Sequence, residues 1–329
     1  MQLSVFSVLD GFPPEVDFAG RNRYSELLSL ADAADRSGLS AVWVAEHHFL
    51  PSGLCPAPAV LLSAMGARTR RVRLGSLVSV LPFHSAIEVA EQYALVDQLT
   101  GGRLNFGVGS GYIPAEFEGF GIDPTEKRDR FDRSLETILA AFRGDEVRAE
   151  TPNAHPVRLN VLPRQQPSPP IWIAAQRREA LPFVAKKGHS LALIPYATVQ
   201  DLDELAQEIR EYRAALPEGR TATVSAAAHI YAGPAPERAH TAFQRYLDSR
   251  LATQSTFYQQ KVREDPHHAS ASALEERGLS MIGGLNEVED RAHAFADAGV
   301  DELLGIFDFG GLTLSDSVGS IRRLSARIH

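Results

Sequence analysis

One arrangement of apolar and polar positions recurs along the chain. A stretch with apolar residues every three to four positions is followed by glycine, then by a short run that is apolar almost throughout. It occurs as LADAADRSGLSAVWVAEHH, LVDQLTGGRLNFGVGSG, LPFVAKKGHSLALIPY and AFADAGVDELLGIFDF. The first part has the period of an amphipathic helix, and the last suits a strand buried on both faces. Gly38, Gly101 with Gly102, Gly188 and Gly299 stand where a helix closes in the left-handed conformation, which a Cβ would penalise. Each unit therefore reads as a helix feeding a parallel strand.

Further strands are expected near 2–8, 72–80, 171–175 and 223–231, which brings the number to eight. Helices are expected over 22–37, 56–68, 86–99, 126–142, 177–187, 200–215, 234–249 and 285–297. Eight strand and helix units predict an α/β fold, a single (β/α)8 TIM barrel occupying 1–329. Two stretches break the rhythm: proline-rich 148–170, and 250–278, which is long and polar. Long connections usually cover a site or are mobile. Both read as insertions, after strands four and seven, with the second either a lid or a surface excursion.

Composition narrows the function without naming it. With 44% hydrophobic and 22% charged residues, the chain can bury a sizeable core. A net charge of -8 offers no basic footprint for nucleic acid or an anionic membrane surface. Cys55 is the only cysteine, so neither an intramolecular disulfide nor a thiolate-rich metal site is possible. The first residues alternate like a strand with no basic leader, and no stretch approaches the ~18 apolar residues of a membrane span. A cytoplasmic protein is expected.

A barrel of this kind places its chemistry where strands end and the following loops begin. The strand SAVWVAEHHF ends in Glu46, His47 and His48. Successive strand residues point to opposite faces, so the two histidines do not readily share a metal, and one of them is expected to face the barrel mouth. The third strand ends in Ser76, Leu77, Val78 and Ser79, suited to a flat apolar ligand, with His84 beyond it. In RLNFGVGSG the glycines permit close approach of either a ligand or another backbone. After the fifth strand, Gln176, Arg177 and Arg178 open a helix, where free N–H groups and arginine form a natural phosphate site; surface arginines are the plainer alternative. Cys55 has no sequence-adjacent base and reads as a packed side chain.

Taken together, AEHHF, the stretch from GLCPAPAVLL to GSGYIPAEFEGFGID, PPIWIAA, and MIGG with DRAHAFADAGVDELLGIFDFGG closely resemble the bacterial luciferase-like flavin monooxygenases. The similarity spans nearly the whole chain and is strongest over 41–123. It implies a barrel binding FMN at the C-terminal strand ends, usually as a homodimer. In such enzymes dioxygen adds to reduced FMN, and the resulting peroxyflavin oxidises a small organic substrate. The position matching the family's catalytic histidine is His47, beside the reactive edge of the flavin as base or hydrogen-bond donor. The flavin-supporting strand, often with a cis non-prolyl peptide, maps to Leu77 and Val78. The turn holding the flavin phosphate maps to Ser110, Gly111 and Tyr112.

Two departures from the family stand at that turn. Many relatives have arginine where this chain has Ser110, and small residues or glutamate where it has Gln176 and Arg177. The cation missing at Ser110 is therefore expected from Arg177 or Arg178. The sequence shows no dinucleotide module, so a separate flavin reductase is implied, making a two-component system. The substrate pocket is expected between the 111–121 loop, Phe49, Phe83 and the 250–278 insertion, for an apolar or aromatic molecule. Two other readings remain: a deazaflavin-dependent hydride-transfer oxidoreductase on the same barrel, and a non-catalytic flavin-binding relative.

Overall fold

Nine strands are present in this computed structural model, which describes residues 1–11, 22–50, 53–151, 153–252 and 256–328. They are β1 (Gln2–Ser7), β2 (Ala41–Val44), β3 (Arg73–Val80), β4 (Leu104–Gly109), β5 (Ile171–Ala174), β6 (Ser190–Leu193), β7 (Val224–Ala232), β8 (Met281–Gly283) and β9 (Glu302–Ile306). All pair in parallel, and β9 joins β7 to β1, so β1 to β7 with β9 close an eight-stranded barrel. Helices intervene between successive barrel strands, as a (β/α)8 TIM barrel requires. β8 lies outside the ring, paired with the last residues of β7.

The strands are buried along almost their whole length, β7 without exception, because helices cover the outside and side chains fill the inside. Near the N-terminal end of the barrel, buried Glu302 accepts hydrogen bonds from Ser4 Oγ at 2.5 Å, Trp43 Nε1 at 3.0 Å and Ser225 Oγ at 2.7 Å. Trp172 Nε1 donates to Ser225 Oγ at 3.0 Å, and the two indoles meet edge to face at 4.9 Å. Every polar atom of this layer has a partner, which is what makes a carboxylate tolerable there.

The glycines expected to close helices adopt positive φ, +73° at Gly38 and +68° at Gly188 among them. Gly107 answers the question of close approach for its own position. A Cβ there would stand 2.0 Å from the backbone oxygen of Ser76, so strand packing requires this glycine.

Both insertions lie where expected, after β4 and β7, but they differ in what they cover. Segment 148–170 does not approach the C-terminal strand ends. Gln165 in it bonds Asp97 through its backbone N–H and its side chain, both at 2.8 Å, and accepts from Arg73 at 2.9 Å. Arg73 and Leu104, which Gln165 also contacts, begin β3 and β4, so Gln165 ties the segment to the N-terminal end of the barrel. Segment 250–278 is largely helical. The helix Pro236–Ala252 runs into it, and Thr256–Glu264, Pro266–Ala269 and Ala271–Glu276 follow. His268 Nδ1 lies 3.0 Å from the Tyr196 carbonyl and Tyr258 donates to the His268 carbonyl at 2.7 Å, which fixes these helices against the end of β6. Residue 152 of the first segment and 253–255 of the second lie outside the described residues. Among the described residues no helix is long and apolar enough to cross a membrane.

Candidate active site

The C-terminal ends of β1 to β6 and their loops line a cavity of about 410 Å³, a size typical of small-molecule and cofactor sites, ~300–1,000 Å³. His47 lines it. His48, one residue on, points away and packs against Phe83, Phe120 and His84, the alternation an extended segment imposes. His47 Nδ1 lies 3.0 Å from Glu116 Oε1, and the same oxygen accepts the His48 backbone N–H at 2.9 Å. In the tautomer in which Nδ1 donates to this oxygen, Nε2 is the ring nitrogen left for a bound molecule. Glu116 is buried on the helix Pro114–Phe120, which starts at proline just beyond β4. The sequence reading passed over it, although an acid in the first turn after a strand end was the available signal.

Behind His47 lies a second pairing. Glu46 Oε1 receives His48 Nε2 at 2.9 Å and His84 Nε2 at 2.7 Å, while Oε2 accepts the Val80 N–H at 3.1 Å. Burial pushes the Glu46 carboxyl up, but the bonds from His48, His84 and Val80 outweigh it and hold the pKa at about 2. His84 moves the other way: burial lowers its pKa, and contact with Glu46 raises it above the ordinary value on balance. Potential metal-ligating atoms of Glu46, His48 and His84 lie within 4.8 Å of one another. Their 2.7 and 2.9 Å spacings are those of N–H···O hydrogen bonds, which satisfy the carboxylate without an ion.

Leu77 and Val78 line the cavity, and the peptide bond between them is cis. Phe6, Val80 and Ile173 extend this apolar wall. Gly109 keeps β4 close to it, since a Cβ there would fall 2.6 Å from a Val78 methyl.

Ser110, Gly111, Tyr112, Gln176 and Arg177 also border the cavity. Arg178 does not: its guanidinium turns outward onto Glu211, with Nε at 2.8 Å from the carboxylate. Lys127 and Arg128, at the start of the helix Lys127–Phe142, line the cavity with Arg177, and sequence reasoning did not single them out. Lys127 Nζ lies 3.5 Å from the Gly111 carbonyl, and Arg128 stacks 3.6 Å over the Phe183 ring. Burial, then Arg177 and Arg128, push the Lys127 ammonium below its ordinary pKa. In a chain of net charge -8, Lys127, Arg128 and Arg177 give this part of the cavity lining a positive charge.

Phe49 and Phe83 fall outside the cavity lining. Phe83 meets Phe117 at 4.9 Å and Phe120 at 4.9 Å, and Phe49 meets Phe120 at 5.3 Å, in an aromatic cluster beside the site. From the 250–278 segment, Arg250 reaches the cavity.

Residues 1–302 match the family model for luciferase-like monooxygenases. The chain belongs to this family. It is 26% identical over 302 residues to the oxygenase component of the flavin-dependent trigonelline monooxygenase of Acinetobacter baylyi, a match covering 87% of this chain and 84% of that protein. It is 36% identical over 151 residues to the 4-hydroxyprotoasukamycin monooxygenase of Streptomyces nodosus subsp. asukaensis, covering 45% of this chain and 41% of that one. A match to y4wF of Sinorhizobium fredii, 36% identical, covers 59% of this chain and 57% of y4wF. The chain thus spans about half the length of these last two relatives. Among solved structures, monooxygenase RslO1 from Streptomyces bottropensis superposes with a TM-score of 0.85 at 24% identity, covering 100% of this chain and 98% of that one. The luciferase-like monooxygenases supply the fold, and the barrel is theirs.

Proposed function

We propose that this protein is an FMN-dependent monooxygenase that takes reduced FMN from a separate flavin reductase and uses dioxygen to oxidise a small organic molecule with an apolar or aromatic body. The observation that carries this reading is one cavity with a basic edge, an apolar wall and a carboxylate-oriented histidine. The donor set fits FMN. Lys127, Arg128 and Arg177 with Ser110 would hold its phosphate, and Leu77, Val78 and Val80 would take its flat ring. Reduced FMN bound there supplies the electrons that activate dioxygen.

The chain's own residues then have distinct tasks. Glu116 fixes the tautomer and direction of His47, whose Nε2 gives or takes a proton inside the cavity. The apolar wall keeps bulk water from the reacting atoms. Printed names of the relatives support the reading: a flavin-dependent monooxygenase described as an oxygenase component, and a fold neighbour in complex with FMN, the oxygenating constituent of 3,6-diketocamphane monooxygenase of Pseudomonas putida (TM-score 0.79, 16% identity, 99% of this chain and 98% of that one). Ser110 favours a second reading, hydride transfer with a deazaflavin, since an F420-dependent secondary alcohol dehydrogenase shares the fold (TM-score 0.72, 16% identity, 99% of this chain and 98% of that one).

Equilibrium titration with FMN separates the roles of the basic residues. Arg177→Ala or Lys127→Ala is expected to weaken FMN roughly ten- to hundredfold, the worth of a charged hydrogen bond. Arg178→Ala is expected to leave affinity unchanged. Equal affinity in all variants would remove the phosphate assignment.

A further inference from the structure

A fourth cation lines the same cavity from a different element. Arg250, in the last turn of the helix Pro236–Ala252, is 8% exposed and reaches the cavity wall. Its Nη2 donates to the Tyr112 hydroxyl at 3.3 Å, and its guanidinium carbon lies 5.8 Å from the centre of the Tyr258 ring. Tyr196 lines the cavity as well, its hydroxyl 3.0 Å from that of Tyr246. Burial pushes the pKa of Tyr196 and of Tyr246 upward, so both hydroxyls stay protonated and can donate. The Tyr112 ring stands edge to face with His47, centroids 6.3 Å apart. Arg250, Tyr112 and Tyr196 thus line one cavity with His47, and Tyr112 stands against the imidazole.

The cavity's carboxylates, Glu46 and Glu116, are engaged by histidines and backbone N–H groups. The guanidinium fork presents five N–H donors, enough to serve several partners at once and matched to a carboxylate in two-point contact. The phosphate is assigned to Lys127, Arg128 and Arg177, on other elements, so a second ligand in the cavity meets Arg250 rather than those three.

We infer that Arg250, with the hydroxyls of Tyr112 and Tyr196, determines specificity by binding a carboxylate on the organic substrate and so holds the substrate's apolar body beside His47. The inference rests on the FMN reading of the cavity, which reserves the other cations for the cofactor. It narrows the substrate class from apolar or aromatic molecules to those that also carry an acid.

The test is binding of simple acids and their neutral amides: benzoate against benzamide, phenylacetate against phenylacetamide, hexanoate against hexanamide. The protein is first titrated with FMN, then saturated with it; if FMN fails to bind, inorganic phosphate is used to fill the basic edge. Failure of the FMN reading shows in that first titration, before any acid is added. Acids are expected to bind roughly ten- to hundredfold more tightly than their amides. Arg250→Met is expected to abolish the preference, Arg250→Lys to keep part of it with the fold intact, and Arg178→Ala, outside the cavity, to keep it in full. No preference in the wild type, or a preference surviving both Arg250 variants, overturns the assignment. So does an Arg250→Met whose loss falls on FMN affinity with the acid-to-amide ratio unchanged, which would give the guanidinium to the flavin.

Discussion

The His47 imidazole is positioned by one side-chain bond and one close neighbour. The bond is to Glu116, and replacing that carboxylate by an amide in Glu116→Gln lets the side chain present an N–H where Nδ1 needs an acceptor. Oxygen consumption driven by reduced FMN is expected to fall ~100-fold or more in His47→Ala, the usual contribution of a positioned acid or base, and by less in Glu116→Gln. Unchanged FMN affinity in both would separate chemistry from binding. The neighbour is Gly53, where a Cβ would fall 2.4 Å from His47 Cβ. Gly53→Ala is therefore expected to displace the imidazole and lower the rate toward that of His47→Ala; a rate equal to wild type would show that the loop or the ring has room to adjust. Glu116 and Gly53 become visible only through their distances to His47, whereas the strand end offered His47 and His48 alike and the family resemblance chose between them.

The strand and helix units were legible because each carries its own punctuation. The helices expected at 86–99 and 285–297 are found as Ala86–Leu99 and Leu285–Asp297, with glycine just past each end. β8 escaped notice because three residues give no period to read, and the helix Pro114–Phe120 because it is two turns inside a loop-like stretch. The 148–170 segment shows the limit of arguing from loop length. Its proline content marks it as irregular, but only the partners of Gln165 tie it to the N-terminal end of the barrel. Lys127 and Arg128 read as the ordinary charged start of a surface helix until β4 and β5 bring Arg177 beside them. Within β4, Gly107→Ala would drive a methyl into the Ser76 carbonyl, a backbone atom that cannot move aside. A loss of about 3 kcal/mol in denaturant-measured stability is expected; a neutral variant would mean β3 and β4 can separate without cost.

Across the molecule the buried carboxylates give stability opposite responses to pH. Glu46, held at about 2, stabilises fully above its ordinary value and loses that stabilisation as pH falls toward about 2. Asp10 behaves the other way: burial and nearby Asp308 raise it to about 6 against the pull of Arg23. Its folded carboxyl holds a proton that the unfolded chain has released, so stability falls as pH rises from ~4 to about 6. Asp10→Asn is expected to flatten that descent, worth at most about 3 kcal/mol, in urea midpoints taken below and above the window. A slope identical to wild type would assign it to another group.

In the proposed function one cavity binds reduced FMN through its basic edge and presents it to His47. Anaerobic titration with reduced FMN, run beside the same titration with a deazaflavin, tests this most directly. The account predicts saturable binding of reduced FMN at one site per chain, weakened in Arg177→Ala, followed by oxygen-dependent reoxidation whose rate changes in His47→Ala. Binding of the deazaflavin alone, or of neither, would contradict it.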